Sequence, residues 1–319
     1  MKIGVIGAGA VGVGVCHYTL AFGSCSELVL IDQQIGKAEG EMMDFGHANS
    51  LTFSKNIRLR AGDDYSLLTD ADIVVITAGA QIKEGQTRDD LAEINSRITV
   101  DIAQKIETVA PNAILLVVTN PCDIATYFIT QNTGFPADRV ISAGCIIDTA
   151  RLMKLVSEKV DVDPKNVSGY ILGEHGSHCF MPWGLVGVAG QPIDYYCQHN
   201  GFDAIDPQTL LEEVKQAGFE IFKRKHNTTH GIAASVFRMI QAITIDEYSI
   251  LPVGTLLSGH YGLSDVVLSL PTIVNARGAH KVLEHPFSET ETRELHDIAA
   301  ALQKLIREVQ AKTGLRGIS

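Results

Sequence analysis

The sequence lacks the cysteine patterns that hold metals or stabilise small secreted domains. Its 319 residues include six cysteines, and none stands in a Cys-x-x-Cys pair or in a zinc-ribbon spacing. A chain of this length can bury a large apolar core, so it needs neither a disulfide nor a structural metal for stability. We therefore expect reduced, mostly buried thiols in a cytoplasmic protein.

Positive charge is also scarce. The chain has 26 Lys and Arg against 37 Asp and Glu, which gives a net charge of −11 and a pI near 5.4. Such a surface repels phosphate backbones and anionic lipids, so we expect no nucleic-acid partner and no membrane partner. Hydrophobic residues make up 45% and charged residues 20%, which is typical of globular proteins rather than disordered ones.

Long apolar runs are absent as well. The segment between Lys2 and Glu27 has no charged residue and superficially resembles a signal peptide or a membrane span. However, five glycines between residues 4 and 14 interrupt it before any apolar helix could become long enough to cross a bilayer. We expect neither a targeting segment nor a membrane helix here.

The first half of the chain alternates short apolar strands with helices. The predicted strands are 3–6, 28–31, 57–60, 73–77, 114–118 and 140–142, and the predicted helices are 10–22, 35–47, 88–109 and 122–132. Apolar strands without polar alternation are typical of a parallel sheet that is covered on both faces. The sequence therefore predicts an α/β domain over residues 1–145, with a doubly wound parallel sheet of the Rossmann type.

After residue 145 this alternation ends. The predicted elements are a helix at 148–160, strands near 167–172 and 183–188, a helical region at 207–243 with a break near 227–231, strands at 250–257 and 266–274, and a helix at 288–312. This order predicts a mixed α+β domain over residues 146–319. No linker separates the two halves, so we expect a shared interface with a cleft.

A glycine-rich segment lies between the first predicted strand and the first predicted helix. Gly7-Ala-Gly-Ala-Val-Gly12 fits G-x-G-x-x-G, and Asp32 follows Gly12 by 20 residues at the end of the next strand. In this setting the glycines allow a tight turn, close approach of a pyrophosphate and close helix packing. The Asp32 carboxylate can accept both ribose hydroxyls and would repel a 2′-phosphate, so the sequence predicts NAD rather than NADP. FAD, or a turn without a ligand, are the alternatives.

Three further segments place polar side chains in apolar surroundings. Thr119-Asn-Pro121 ends a buried strand, Asp148 and Arg151 share a helix face, and His175 lies between glycines. Oxidation of an alcohol by NAD removes a hydride and a proton, so a base that titrates near neutral pH is needed. His175 can be that base, Asp148 can fix its tautomer, and Arg151 can bind a carboxylate through two hydrogen bonds. Taken singly, the same residues are compatible with a surface histidine and an ordinary helical ion pair.

Together, these segments resemble the motifs of one family. The matching segments are Gly7–Gly12, Thr77-Ala-Gly79, Gly85-Gln-Thr-Arg88, Thr119-Asn-Pro121, Asp148-Thr-Ala-Arg151 and Gly173-Glu-His-Gly176. Over nearly its whole length the sequence is similar to the L-lactate/malate dehydrogenases, which are NAD-dependent L-2-hydroxy-acid dehydrogenases. The resemblance implies reversible hydride transfer between NADH and a small 2-oxo acid, in a homo-oligomer (tetramer or dimer).

The resemblance also implies a role for each motif residue. His175 would exchange the proton with Asp148 as its partner, and Arg151 would bind the substrate carboxylate. Asn120 would bond the reacting oxygen, Thr228 would line the pocket, and the peptide bond after Asn120 would be cis. The cofactor-binding residues would be Gly7, Gly9, Val11, Gly12, Asp32, Thr77, Ala78, Gly79 and Asn120.

Substrate choice in the family is read on a loop that closes over the substrate. Its arginine, matched here by Arg88, would stabilise the carbonyl oxygen as that oxygen gains negative charge. Six residues earlier, malate-type members carry arginine and lactate-type members carry glutamine, whereas this chain has Ile82. Burying a second carboxylate against isoleucine would be costly, so we expect pyruvate and larger aliphatic 2-oxo acids as substrates. A 2-hydroxyisocaproate dehydrogenase proper, and then a malate dehydrogenase, are the alternatives.

Two other interpretations of the same residues are weaker. His175, His178 and Cys179 lack the helical frame and the fourth ligand of a metal site, so we expect no metal. A non-catalytic NAD-binding protein on the same fold would not need His175, Asp148, Arg151, Arg88 and Asn120 together.

The family resemblance yields a prediction about regulation. Many bacterial lactate dehydrogenases bind fructose 1,6-bisphosphate through an arginine two residues past Arg151 and a histidine seven residues before His175, and those positions are Met153 and Ser168 here. Without the cationic pair the bisphosphate has little to bind. We predict that it leaves the KM for the 2-oxo acid unchanged in initial-rate measurements, and a clear drop in KM would contradict this.

Overall fold

Apolar strands and amphipathic helices alternate through the first half of the chain. The computed structural model describes residues 1–23, 25–52, 55–81 and 88–318, apart from the side chains of residues 88 and 89. The elements are β1 (Lys2–Ile6), α1 (Ala10–Phe22), β2 (Glu27–Ile31), α2 (Ile35–Asn49), β3 (Arg58–Gly62), β4 (Ile73–Ile76), α3 (Arg88–Val109), β5 (Ile114–Val117), α4 (Cys122–Asn132) and β6 (Val140–Ser142). These bounds agree closely with the predicted elements.

The second half is more irregular. Its elements are α5 (Ile146–Lys159), β7 (Val167–Ser168), β8 (Leu172–Gly173), β9 (Cys179–Phe180), β10 (Gly187–Val188), β11 (Gln191–Pro192), α6 (Ile193–Asn200), α7 (Pro207–Lys225), α8 (His230–Thr244), β12 (Ser249–Ser258), β13 (Ser264–Asn275), β14 (Gly278–Val282) and α9 (Glu289–Thr313). The strand predicted at 183–188 begins instead with a short 3₁₀ turn, and β14 was not predicted. None of the helices within the described ranges is both long enough and apolar enough to cross a membrane.

One large sheet runs through both halves of the chain. Its strand order is β3-β2-β1-β4-β5-β6-β12-β13-β8-β9, and β14 pairs with β13. The strands from β3 to β6 are parallel, whereas β12 and β13 join antiparallel, with Gly254 opposite Ser142 at the junction. The predicted fold class, a doubly wound parallel sheet followed by a mixed α+β half, is confirmed. The strands that follow β6 in this order, beginning with β12, extend the parallel sheet because the outer edge of β6 is available for pairing.

Helices cover both faces of the parallel strands. In β4, Ile73 and Val75 face one apolar cluster, and Val74 and Ile76 face the other. Helices α1 and α8 contact each other on the first face, while α3 contacts α4 and α9 on the second. Successive strand residues point to opposite faces, so a strand buried on both faces must be apolar throughout. This burial explains why the strand segments show no polar alternation.

The junction between β6 and β12 allows a stability prediction. A methyl group at Gly254 would lie 2.6 Å from the Asp123 Oδ1 and 2.7 Å from the Ser142 Cβ. We predict that Gly254→Ala lowers the free energy of unfolding by about 1–3 kcal/mol through overpacking. Gly184→Ala is the control, since no atom lies within 4 Å of its added methyl group, and it should change that energy by less than about 0.5 kcal/mol. Chemical denaturation measures both, and equal stability of Gly254→Ala and the wild type would contradict the prediction.

Candidate active site

The turn between β1 and α1 has the geometry of a phosphate-binding loop. Gly7 adopts a φ of 107°, which favours glycine, and a methyl group at Gly12 would lie 1.9 Å from the Gly7 carbonyl oxygen. By contrast, no atom lies within 4 Å of a methyl group built at Gly9, which is the N-cap of α1. The second glycine of the motif therefore faces open space at a helix N-terminus, where backbone N–H groups favour an anion.

Asp32 lies at the end of β2, beside this turn. Its Oδ2 accepts a hydrogen bond from the Ala8 N–H at 2.6 Å, and its Oδ1 accepts one from the Gln34 N–H at 2.8 Å. Each carboxylate oxygen has a second lone pair, so Asp32 can still accept ribose hydroxyls. A cavity of about 800 Å³ opens here, and its lining includes Gly7, Gly9, Asp32, Tyr65, Thr77, Ala78, Gly79 and Ile98. Its size, the open glycine and the carboxylate fit the adenosine and pyrophosphate of NAD.

The predicted cofactor and substrate turns are held together by Asn95, which the sequence analysis missed. The Asn95 Nδ2 donates to the Asn120 carbonyl oxygen at 2.6 Å and to the Ala80 carbonyl oxygen at 3.1 Å, and its Oδ1 accepts from the Ala80 N–H at 2.7 Å. Asn95 is buried in α3. The peptide bond between Asn120 and Pro121 is cis, as expected. A side-chain amide can bridge two turns in this way because it both donates and accepts.

Asp148 joins the two other predicted functional residues. Its Oδ2 lies 2.7 Å from the His175 Nδ1, and its Oδ1 accepts a hydrogen bond from the Arg151 Nη1 at 2.5 Å. The Asp148 side chain is 5% exposed, whereas those of His175 and Arg151 are 20% and 17% exposed. The carboxylate is therefore buried, and its two partners reach the surface. This bond assigns the Nδ1 proton to the Asp148 side and leaves the His175 Nε2 to face a substrate.

The charges in this group shift both pKa values. Burial lowers the pKa of His175, but the carboxylate of Asp148, through its charge and its hydrogen bond, and the charge of Asp123 raise it above its ordinary value. Burial raises the pKa of Asp148, but His175 and Arg151 lower it below its usual range. The pair therefore favours a negative Asp148 beside a positive His175, which is the state that can donate a proton.

Helices α7 and α8 pack closely against α5, which carries Asp148 and Arg151, because each has a glycine at the contact. A methyl group at Gly218 of α7 would lie 3.0 Å from the Arg151 Nη2, and one at Gly231 of α8 would lie 2.6 Å from the Ile147 Cδ1. Thr228 lies half-buried in the connection between these helices. The guanidinium has five N–H donors, and Asp148 needs only one, so Arg151 can also bind a carboxylate.

A second buried carboxylate, also missed from the sequence, lies under the histidine loop. Asp123 in the first turn of α4 is 2% exposed, and its Oδ2 accepts the His175 backbone N–H at 2.8 Å. Its Oδ1 accepts the Ser142 hydroxyl at 2.6 Å. Burial raises the pKa of Asp123 to about 6, although these hydrogen bonds oppose the rise. The available signal was an acidic residue only two positions after Pro121, in a helix with no other charged residue.

Two predicted residues cannot be placed. Ile82 lies outside the described residues, and so does the side chain of Arg88, whose backbone begins α3. Of the remaining cofactor residues, Val11 lies half-buried in the first turn of α1, and the Thr77 hydroxyl donates to the Ile6 carbonyl oxygen at 2.9 Å. Their roles remain predictions.

The chain is similar to proteins of known family. A family model described as the lactate/malate dehydrogenase NAD binding domain matches residues 1–142, and one described as the lactate/malate dehydrogenase alpha/beta C-terminal domain matches residues 146–313. L-lactate dehydrogenase 2 of Clostridium acetobutylicum is 41% identical over 312 residues, which are 96% of each chain. The L-lactate dehydrogenase of Acetivibrio thermocellus is 42% identical over 308 residues, again 96% of each chain.

Solved structures show the same similarity. The ligand-bound minor L-lactate dehydrogenase from Enterococcus mundtii superimposes with a TM-score of 0.92 at 36% identity, covering 97% of this chain and 98% of that one. MGS-M5, a lactate dehydrogenase from a Medee basin deep-sea metagenome library, superimposes with a TM-score of 0.91 at 34% identity, with the same coverage.

The bond between His175 and Asp148 allows a direct titration test. We predict that Asp148→Asn lowers the pKa of His175 by about 1–3 units, because a neutral amide no longer stabilises the imidazolium. NMR titration of the His175 ring protons measures this pKa. Glu174→Gln is the matched control, since Glu174 is bonded to the ring of His178 at 2.6 Å, and it should leave the His175 pKa in place. An unshifted pKa in Asp148→Asn would contradict the assigned pairing.

Proposed function

Because the chain belongs to the lactate/malate dehydrogenase family, we propose that it is an NAD-dependent L-2-hydroxy-acid dehydrogenase of the L-lactate type. It interconverts a small 2-oxo acid and the corresponding 2-hydroxy acid. The observation that carries this proposal is the buried Asp148 carboxylate, which bonds the His175 imidazole on one side and the Arg151 guanidinium on the other. Such a site combines a proton donor with a carboxylate-binding group, as reduction of a 2-oxo acid requires.

The chain's own residues provide the binding site for NAD. The glycines at 7, 9 and 12 form the pyrophosphate turn, Asp32 accepts the ribose hydroxyls, and residues 77–79 border the same cleft. By family resemblance, Val11 in the first turn of α1 also binds the cofactor. NADH, when bound, supplies the hydride that reduces the carbonyl carbon. The negative Asp32 repels a 2′-phosphate and so favours NAD over NADP.

Arg151 orients the substrate by binding its carboxylate. A guanidinium can form two parallel hydrogen bonds to a carboxylate, which fixes the direction of the 2-oxo group as well as its position. The partial burial of Arg151 strengthens this attraction, since fewer water molecules screen it. By family resemblance, the half-buried Thr228 lines the same pocket, and Asn120 donates a hydrogen bond to the reacting oxygen.

His175 transfers the proton. Its raised pKa favours the protonated ring, which donates a hydrogen bond to the 2-oxo group. As the carbonyl carbon gains hydride, the oxygen takes the proton from the imidazolium. One C–H and one O–H bond form, the π bond of the carbonyl breaks, and the C–O single bond remains. In the oxidation direction the neutral ring accepts that proton, and Asp148 stabilises the resulting charge.

The loop that contains Ile82 and ends at Arg88 completes the proposed site by family resemblance. Arg88 adds positive charge at the oxygen as it becomes alkoxide-like, so it stabilises the transition state more than the bound substrate. Ile82 offers an apolar surface to the substrate side chain and no partner for a second carboxylate. The substrates are therefore monocarboxylic 2-oxo acids, namely pyruvate and larger aliphatic homologues.

We also propose that the protein is a homo-oligomer, a tetramer or a dimer, in the cytoplasm. Large apolar side chains that are exposed on the single chain support self-association, and they include Met43, Leu51, Phe219, Ile221 and Phe222. The six cysteines are all free and buried, which suits a reducing compartment.

A parallel assay of three substrates tests the proposed function. We predict that the purified protein oxidises NADH at neutral pH with pyruvate and with 2-oxoisocaproate, and at least about tenfold less efficiently with oxaloacetate, because a buried unpaired carboxylate is costly. The decrease in absorbance of NADH gives kcat/KM for each. A His175→Gln variant is the negative control. Preference for oxaloacetate would contradict the lactate type, and no turnover with any of them would contradict the dehydrogenase assignment.

A further inference from the structure

A buried carboxylate that the proposed reaction does not use requires an explanation. Asp123 is 2% exposed, and an isolated buried charge is strongly unfavourable. Its location in the first turn of α4 places it near the positive end of that helix, which offsets part of this cost. Further compensation comes from hydrogen bonds donated by the Ser142 hydroxyl and the His175 backbone N–H, and from a long one donated by the Cys122 thiol at 3.9 Å.

The Ser142 hydroxyl and the His175 backbone N–H each need a hydrogen-bond acceptor at the position of Asp123. The Ser142 Oγ accepts the Gly144 N–H at 3.1 Å and donates its own hydrogen to the Asp123 Oδ1. The other oxygen takes the His175 N–H. Gly254 leaves room for the group, since a methyl group there would lie 2.6 Å from Oδ1. A carboxylate satisfies both donors at once, whereas a hydroxyl or a methyl group would not.

We propose that Asp123 is a positioning residue for His175, which holds the histidine loop against the start of α4 and adds a negative charge near the imidazolium. The inference rests on the proposed function. Because Asp123 lies three residues after Asn120, one short segment carries both the group that meets the reacting oxygen and the anchor of the proton donor. Asn120 and His175, which both bind the reacting oxygen of the substrate, are thus linked through one buried hydrogen bond, from the His175 N–H to Asp123.

The groups around the histidine determine how the charge of Asp123 acts. Asp148 and Arg151 approach the His175 ring from α5, and Asp123 approaches from α4. Asp148 and Asp123 both raise the pKa of His175, while Arg151 lowers it. The charge of Glu174 raises the pKa of Asp123, and the charge of His175 lowers it. Removal of the Asp123 charge therefore lowers the pKa of His175.

Asp123→Asn separates the charge from the hydrogen bonds. The amide oxygen can still accept the His175 N–H, and the amide nitrogen can donate to Ser142, whose oxygen accepts a second bond. Only protonated His175 binds a 2-oxo acid well. A lower pKa therefore raises KM near pH 7.5, while saturating substrate restores the protonated form and preserves kcat. We predict a KM for pyruvate that is roughly 3–10 times higher, a kcat within about twofold, and a pH limit of reduction that moves down by about half a unit to one unit.

Asp123→Ala removes the anchor as well as the charge, and it should lower kcat/KM by about tenfold to a hundredfold. If that variant does not fold, Asp123→Asn still tests the proposal. Thr126→Val is the matched control: Thr126 lies on the same buried helix, its hydroxyl has no hydrogen-bond partner, and the substitution preserves its shape. It should retain the wild-type KM, kcat and pH profile.

The decisive measurement compares the pH dependence of kcat/KM for pyruvate reduction among the wild type, Asp123→Asn and Thr126→Val, with NADH affinity measured in parallel by fluorescence. A shifted pH limit and a raised KM in Asp123→Asn alone, at unchanged NADH affinity, support the proposal. A wild-type profile in Asp123→Asn, or equal losses in both variants, overturn it while the dehydrogenase function stands. No pyruvate turnover by the wild type would overturn both.

Discussion

The buried carboxylate of Asp148 is the group on which the rest of the site depends. It lies between the imidazole of His175 and the guanidinium of Arg151, at 2.7 Å and 2.5 Å. Removing a charge from water is costly, and here the cost is offset because both partners can be positive. One carboxylate thus orients the proton donor and the substrate-binding cation together. Because the surroundings are poorly hydrated, each of these attractions is stronger than it would be at the surface.

This group can form only because the sheet continues from the first half of the chain into the second. Strand β12 pairs with β6 at Ser142 and Gly254, and β8, which leads into the histidine loop, joins the same sheet through β13. At this edge the Asn95 side chain then donates to the backbone carbonyl of Asn120, and the Asp123 side chain accepts from the backbone N–H of His175. The cofactor turn and the proton donor therefore belong to a common framework, which is consistent with the need to hold reacting groups within a fraction of an ångström.

Much of this architecture could be predicted from the sequence, because local patterns report local structure. Helices α1, α3 and α4 begin and end where the apolar periodicity predicts, and the cis bond at Asn120 follows from family resemblance. The glycine turn could be predicted because only glycine fits there: Gly7 has a positive φ, and Gly12 has no room for a methyl group. The two-residue strands β8 and β9 could not be delimited, since they are too short to show a period.

By itself, the sequence determined the element order, the dinucleotide-binding turn and the residue types of the chemistry, because spacing and glycine requirements are local. Only the tertiary structure decided which polar residues act together. Asp123 and His175 are 52 positions apart, and Asn95 and Asn120 are 25 apart, yet each pair is joined by a hydrogen bond. Such bonds depend on how strands pair and helices pack, so no sequence window contains them. The extension of the parallel sheet by β12 is of the same kind, because it requires the edge of β6 to be free when the second half folds.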